Sequence, residues 1–241
     1  SGTVICAGTG AGKTKSFYIP AFLSIIDDLI SNPSPYTKII AVYPRNALLA
    51  DQLRECLSEI IKINESIKDT GHRPITIGAF FGDVPKSSWF TQEVNRELKV
   101  VKWCHWKCNQ DGFVVPFVKS PFDSTSNLIW KNNDRDNGRT VLYREDQSSP
   151  DVPDGILMLT REQIQKTPPD ILFLSAEMLN RELGNPSYGK VFGIGRGVQS
   201  PRLLLLDEVH SYERIQGAHL SWLLRRWLHW SEGKNIHVVG L

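Results

Sequence analysis

The chain has 241 residues, 41% of them hydrophobic and 22% charged, with a formal net charge of +2. That length permits one large α/β domain as readily as two small ones, with one domain carrying an insertion favoured; no apolar run is long enough to cross a bilayer, and so small a net charge puts any nucleic-acid contact on local motifs rather than bulk basicity. Four scattered cysteines, Cys6, Cys56, Cys104 and Cys108, exclude a disulfide framework and suit a reducing cytoplasm, and Ser1-Gly2-Thr3 shows neither the basic nor the apolar region of a secretion signal.

The apolar run Val4-Ile5-Cys6 reads as a strand and leads into Ala7-Gly8-Thr9-Gly10-Ala11-Gly12-Lys13-Thr14, after which a helix is expected over Ser16 to Ile30, with Pro20 near its first turns. Strand, glycine-rich loop and helix form a phosphate cradle. The glycines let backbone N–H groups converge on phosphate, Lys13 reaches the β/γ-phosphates, and the Thr14 hydroxyl suits Mg²⁺. With Ala7, Gly10, Gly12, Lys13 and Thr14 in place, the loop resembles motif I of superfamily 2 helicases, written A-x-x-G-x-G-K-T. The resemblance implies that Gly8, Thr9, Gly10, Ala11, Gly12, Lys13 and Thr14 bind ATP.

Lys38 to Tyr43 is a short buried strand by length and β-branching, and Pro44-Arg45-Asn46-Ala47-Leu48 turns out of it toward a helix expected over Ala47 to about Lys68. Pro44, Arg45, Ala47, Leu48 and Gln52 resemble superfamily 2 motif Ia, which implies that Pro44, Arg45, Asn46 and Gln52 hold the backbone of a nucleic-acid strand. Arg45, Asn46 and the N–H groups of a helix start are suitable donors to phosphate oxygens. A further strand is expected over Pro74 to Phe81.

Val84 to about Thr160 has weak periodicity and reads as an insertion. Within it, Cys104, His105 and Cys108 raise the question of zinc. A closed structural site uses four ligands, usually as two pairs, and only one pair is present, so a short hairpin with ordinary thiols is favoured over zinc at Cys104/Cys108. Trp103, Trp106, Lys102 and Lys107 suit either packing or stacking on a single strand. Asn132 to Arg139 reads as a solvated turn, and the glycine-rich Asn185 to Ser200 as a mobile loop.

Thr160 to Ile164 is a short helix stopped by Pro168-Pro169, and Ile171 to Leu174 is a buried strand leading to Ser175. Ser175 and Leu179 resemble motif Ib, which implies a strand contact at Ser175; a plain strand-to-helix turn fits the same residues. Arg202 to Leu206 is an apolar strand ending in Asp207-Glu208-Val209-His210. Two acids at the end of such a strand are what a phosphate-loop ATPase needs opposite its lysine. The sequence resembles motif II in its DEVH form. It implies Asp207 as Mg²⁺ ligand with Thr14, Glu208 as the group that activates water, and His210 as a sensor of the γ-phosphate, so that Lys13, Glu208 and His210 are the catalytic set. Ile215, Ala218, His219, Trp222, Leu223, Trp227 and Trp230 give a helix expected to lay that face on the sheet, with Arg225 and Arg226 basic near its end. Ile236 to Leu241 is a last strand.

The expected fold is therefore α/β, a P-loop NTPase with a RecA-like parallel sheet, helices on both faces and an inserted subdomain. Residues 1–83 and 159–241 form the first helicase lobe, and 84–158 the insertion. The resemblance implies an ATP- and Mg²⁺-dependent helicase or translocase, with DNA favoured over RNA and no membrane contact. It also implies a second RecA-like lobe outside these residues to complete the site. The Tyr-Pro-Arg-Asn-Ala-Leu form of motif Ia and the long insertion look more like Lhr-related and DISARM phage-defence helicases, which adds other defence-system subunits as partners. Two other classes fit the same phosphate-loop residues, an ATPase that remodels proteins and a nucleotide-binding scaffold that does not hydrolyse.

Overall fold

The computed structural model describes residues 2–4, 13–44, 46–88, 94–95, 100–101, 106–145, 147–209, 214–231 and 236–240. In chain order the strands of its main sheet are β1 (Gly2–Val4), β2 (Ile39–Tyr43), β3 (Ile77–Phe80), β10 (Leu157–Met158), β11 (Ile171–Ser175), β12 (Leu203–Leu206) and β13 (His237–Gly240). They form a seven-stranded sheet in the order β1-β13-β12-β2-β11-β3-β10, and every pairing in it is parallel. Inner strands of such a sheet are covered on both faces, so their sequences run apolar without alternation, whereas the edge strand β1 is exposed. All five residues of β2 are buried. Ile39, Ala41 and Tyr43 enter one core, with Ile77, Phe173 and Leu205. Ile40 and Val42 enter the other, with Phe80, Leu172, Leu204 and Leu206.

The strand order decides which helix covers which face. From β1 through β2 to β3 and β10 the chain moves toward one edge of the sheet, then returns through β11 and β12 to β13. Parallel crossovers are right-handed in nearly all proteins, so outward and returning connections must lie on opposite faces. Helices α1 (Lys13–Ser31) and α2 (Asn46–Ile67), which make the outward crossovers, bury Tyr18, Phe22, Ile25, Leu49, Leu53 and Leu57 in the first core. The returning helices α4 (Arg161–Lys166), α5 (Ala176–Glu182), α6 (Gly189–Phe192) and α7 (Arg214–Trp230) place Ile164, Leu179, Phe192 and Trp227 in the second.

The connection from β3 to β10 is the last outward step, and here an antiparallel unit stands in place of a helix. Strands β6 (Gly112–Lys119), β7 (Asn127–Lys131), β8 (Leu142–Arg144) and β9 (Pro150–Val152) form a four-stranded sheet. Phe113, Val115, Phe117, Leu128, Trp130 and Leu142 from it share the first core with α2, the face that the handedness rule requires. Trp106 is fully buried at this junction. It packs edge-on to Phe117 and Trp130 and donates Nε1–H to the Asp83 carbonyl at 2.7 Å, which settles it as a packing residue. At Gly112 a Cβ would meet the Trp130 carbonyl oxygen at 2.1 Å, so only glycine allows β6 and β7 to start pairing there. β4 (Val94–Asn95) pairs antiparallel with β5 (Val100–Val101). The stretch expected as a solvated turn contains α3 (Asn132–Asp136), whose buried Asp134 is paired with Arg139 at 2.7 Å.

The amino-terminal edge of the sheet is fixed by buried charge. Asp170, just before β11, accepts from Lys38 Nζ at 2.7 Å, from Arg73 Nη1 and Nη2 at 2.7 and 2.8 Å, and from the Thr76 amide and hydroxyl at 2.9 and 3.1 Å. Asp28 on α1 adds contacts to Lys38 at 3.6 Å, Tyr36 Oη at 2.6 Å and Arg202. Lys38, Thr76, Asp170 and Arg202 each precede a strand, so one ionic cluster sets the register of β2, β3, β11 and β12. Burial alone would raise the Asp170 carboxyl, but hydrogen bonds and charges from Arg73 and Lys38 outweigh it and hold the group below its ordinary value.

Candidate functional site at the carboxyl edge of the sheet

In parallel α/β sheets the loops beyond the carboxyl ends of the strands are where ligands bind. At that edge here lie Pro44 after β2, Ser175 at the end of β11, and Asp207 and Glu208 after β12. The Asp207 amide donates to the Val42 carbonyl at 3.2 Å, extending the β12–β2 ladder by one rung and fixing where the acidic pair begins. Glu208 then takes φ of +52°, a left-handed conformation that costs a residue with a Cβ about 1–2 kcal/mol. Here that geometry turns the chain sharply off the end of the strand. The next residue, Val209, packs over the end of β13: a Cβ on Gly240 would meet Val209 Cγ2 at 2.9 Å.

One strand, β13, separates β12 from β1, a lateral distance of about 10 Å at ordinary strand spacing. Helix α1 starts at Lys13, and Thr14 is in its first turn. Residues Gly8 to Gly12, together with Arg45, Cys104, His105 and His210, lie outside the described residues. Asn46 is the exposed first residue of α2 and Gln52 is half-buried two turns along it. Ser175 Oγ accepts from the Met178 amide at 3.2 Å, so this hydroxyl caps α5; the plain turn reading thus has a physical basis, and the oxygen keeps its own proton to donate.

Two residues that sequence reasoning passed over join these parts. Tyr18 Oη and Tyr43 Oη are 3.0 Å apart in a buried pair, linking the second turn of α1 to the last residue of β2. Burial first, and then the neighbouring Tyr43, push the Tyr18 phenol well above its ordinary range, with Asp207 adding to the rise. Burial does the same for Tyr43, opposed by the bond from Tyr18 and assisted by the Asp207 charge. Both phenols are therefore neutral, and both feel the first acid of the Asp207-Glu208 pair. The only available signal was a tyrosine ending an otherwise aliphatic strand directly before Pro44.

The inward face of α7 differs from expectation. Leu220, Leu223 and Trp227 are buried, whereas Trp222, Trp230 and His219 are exposed. A helix face of aromatic residues satisfies the same spacing as a core stripe; here Leu223 and Trp227 enter the second core with Phe192, whose carbonyl accepts Trp227 Nε1–H at 2.8 Å. Among the described residues no cluster of three or more His, Cys, Asp or Glu side chains is arranged to hold a metal ion. Cys108 is a half-buried free thiol, and Cys56 is buried in the α2 core, where burial raises its thiol.

Residues 1–79 match the DEAD/DEAH box helicase family. The chain is also similar to Druantia protein DruE of Escherichia coli (strain UMEA 4076-1), at 26% identity over 262 residues that cover 94% of this chain and 14% of that protein. It thus spans a small part of that relative's length. The parallel sheet flanked by helices on both faces, the match over residues 1–79 and the likeness along most of the chain together support a RecA-like domain of helicase type.

Proposed function

We propose that this chain is the first ATP-binding lobe of a helicase or translocase that couples ATP·Mg²⁺ hydrolysis to movement on DNA. The observation that carries the reading is the Asp207-Glu208 pair at the carboxyl end of β12, two strand positions from the β1 that leads into the Gly8 to Thr14 sequence. Mg²⁺ is usually held by one or two protein oxygens together with substrate phosphates and waters, and Thr14 with Asp207 is a donor set of that kind. When bound, the ion would neutralise phosphate charge.

In this scheme the amides of Gly8 to Gly12 and the Lys13 ammonium hold the phosphates. Glu208 takes a proton from the attacking water, which leaves hydroxide character on the nucleophile. His210 senses the γ-phosphate. Pro44, Arg45, Asn46 and Gln52 grip the strand backbone, and Ser175 contributes through its hydroxyl proton. Residues 1–83 and 159–241 constitute the lobe and 84–158 the insertion, with Leu157 and Met158 returning to the main sheet. A second lobe supplies the remaining transition-state charge, and the likeness to a named member of the Druantia proteins favours further protein subunits as partners. A cytoplasmic setting is part of this reading, and among the described residues no helix is long and apolar enough to cross a membrane.

The test is ATP turnover by the full-length protein with single-stranded DNA, with RNA and with neither. DNA-stimulated turnover abolished by Glu208→Gln, with nucleotide binding retained, is expected. Turnover that ignores nucleic acid would instead favour the protein-remodelling class, and an undiminished Glu208→Gln rate would remove the acid from its role.

A further inference from the structure

Between α5 and α7 the surface opens into a cleft of about 420 Å³ whose lining includes Pro44, Glu177, Asn180, His219, Trp222 and Leu223. It lies at the carboxyl edge: Pro44 follows β2, and α5 follows Ser175, which is in register with Tyr43. Trp222 is 61% exposed. The guanidinium of Arg226 sits 5.0 Å from its ring and 5.1 Å from that of Trp230, and Arg226 Nη2 reaches Asn180 O and Oδ1 at 3.4 and 3.3 Å. The helix therefore presents an aromatic and cationic ridge anchored across to α5.

We propose that this cleft receives an unpaired nucleobase of the strand gripped at the Pro44 loop, with Trp222 as its stacking platform, an inference that rests on the nucleic-acid reading above. Every base has a π-face, so a tryptophan ring binds single strands without regard to sequence. Glu177 in the lining repels phosphate, so the base enters the cleft while the backbone runs outside it toward the amino end of α2. An apolar protein surface is a poorer occupant, because docking there would cover the Arg226 guanidinium without offering it a polar or charged partner. A base stacked on the ridge benefits from the same guanidinium.

The experiment measures binding of a labelled single-stranded DNA 20-mer, and of an abasic strand of the same length, to the full-length protein across a salt series. Trp222→Ala should weaken binding of the normal strand about 5- to 150-fold, the loss expected for one stacked base, and Trp222→Phe should restore most of it. The abasic strand should not distinguish Trp222→Ala from wild type, and the salt slope should be unchanged. Arg45→Ala, by contrast, should weaken both strands and flatten the slope, as a lost phosphate contact does. Because Trp222 is exposed its removal opens no cavity, and an unchanged melting profile confirms the fold. If wild type binds neither strand, the nucleic-acid reading fails and takes this inference with it. If binding responds to Arg45→Ala but Trp222→Ala matches wild type, the stacking inference alone is wrong. An equal loss on both strands would also overturn it, and would point to Trp222 as a contact for another macromolecule.

Discussion

Asp170→Ala tests whether buried charge holds the amino-terminal edge of the sheet. The substitution removes an acceptor that binds Lys38, Arg73 and Thr76 through five hydrogen bonds. Deleting one partner of a buried ion pair costs about 3–5 kcal/mol, because the other charge stays behind uncompensated. Here the lower end applies: Lys38 keeps Asp28 at 3.6 Å, and Arg73, 26% exposed, can turn its guanidinium to water. We expect about 3 kcal/mol, equivalent to a roughly 150-fold rise in the local opening equilibrium. Asp170→Asn should cost less, about 1–2 kcal/mol, since an amide oxygen still accepts from Thr76.

Hydrogen exchange of the peptides covering β2, β3 and β11 in the full-length protein reads this directly. A surface pair provides the scale: Glu162→Ala removes an exposed partner of Lys166 at 3.1 Å and should change exchange by less than about 1 kcal/mol. If Asp170→Ala protects these strands as well as Glu162→Ala does, the cluster is not what sets the edge. The same group gives a pH dependence of definite sign. Its folded value is below the ordinary 3.8, so its contribution is complete above that value and is lost as pH falls through the lower folded value. Acid sensitivity from Asp170 is therefore confined to pH below about 4, and a loss of protection at these strands between pH 7 and 5 that disappears in Asp170→Asn would contradict it.

Two further substitutions probe the site and the insertion. Gly240→Ala should push Val209 aside and with it the turn at Glu208, cutting ATP turnover of the full-length protein about 10- to 100-fold while leaving the melting temperature within a few degrees, since small misplacements at a reacting centre are costly. An unchanged rate would show that Val209 moves without disturbing its neighbour. Trp106→Ala should cost about 3–5 kcal/mol as a large buried ring is lost, and the loss should appear as faster exchange in β6 and β7; exchange equal to wild type there would mean the insertion is held by other contacts.

How far the sequence can be read depends on whether the information is local. Ile39 to Tyr43, Ile171 to Ser175 and Leu203 to Leu206 are legible as strands because buried parallel strands are short aliphatic runs. The long amphipathic α2 is legible from its spacing, with its bounds one residue out at each end. The apolar spacing that marks α1 begins too late, at Ser16, and leaves Pro20 near the first turns. The helix begins at Lys13, so this proline sits in the interior, where its missing N–H forfeits a hydrogen bond that the first-turn reading spared. β10 is two residues long and carries no signal of its own; only its neighbour β3 makes Leu157 and Met158 a strand. The stretch from Asn185 to Ser200, read as a mobile loop, buries Tyr188 and Phe192 against Phe80 and places Val191 in the same core. Lys38 and Asp170 resemble ordinary surface charges until the fold brings them together across 132 positions.

At the site the same division separates chemistry from geometry. The Asp207-Glu208 pair is legible because two acids directly after an apolar strand are a local pattern, the one that the proposed ATPase chemistry would need. Their presentation is not, since it depends on the left-handed backbone at Glu208, on the amide of Asp207 reaching Val42, and on Gly240 leaving room for Val209. These three features come from different strands, and each acts on the two acids through backbone or close packing. The acidic pair is thus held by β2 on one side and β13 on the other, while Tyr43 at the end of β2 is bonded to Tyr18 on the helix that starts at Lys13. A shift of α1 on the nucleotide would move Tyr18, and through Tyr43 would bear on Pro44, which follows Tyr43 in the chain. In the function proposed above, coupling between hydrolysis and strand movement would have a short physical route through this buried hydroxyl pair.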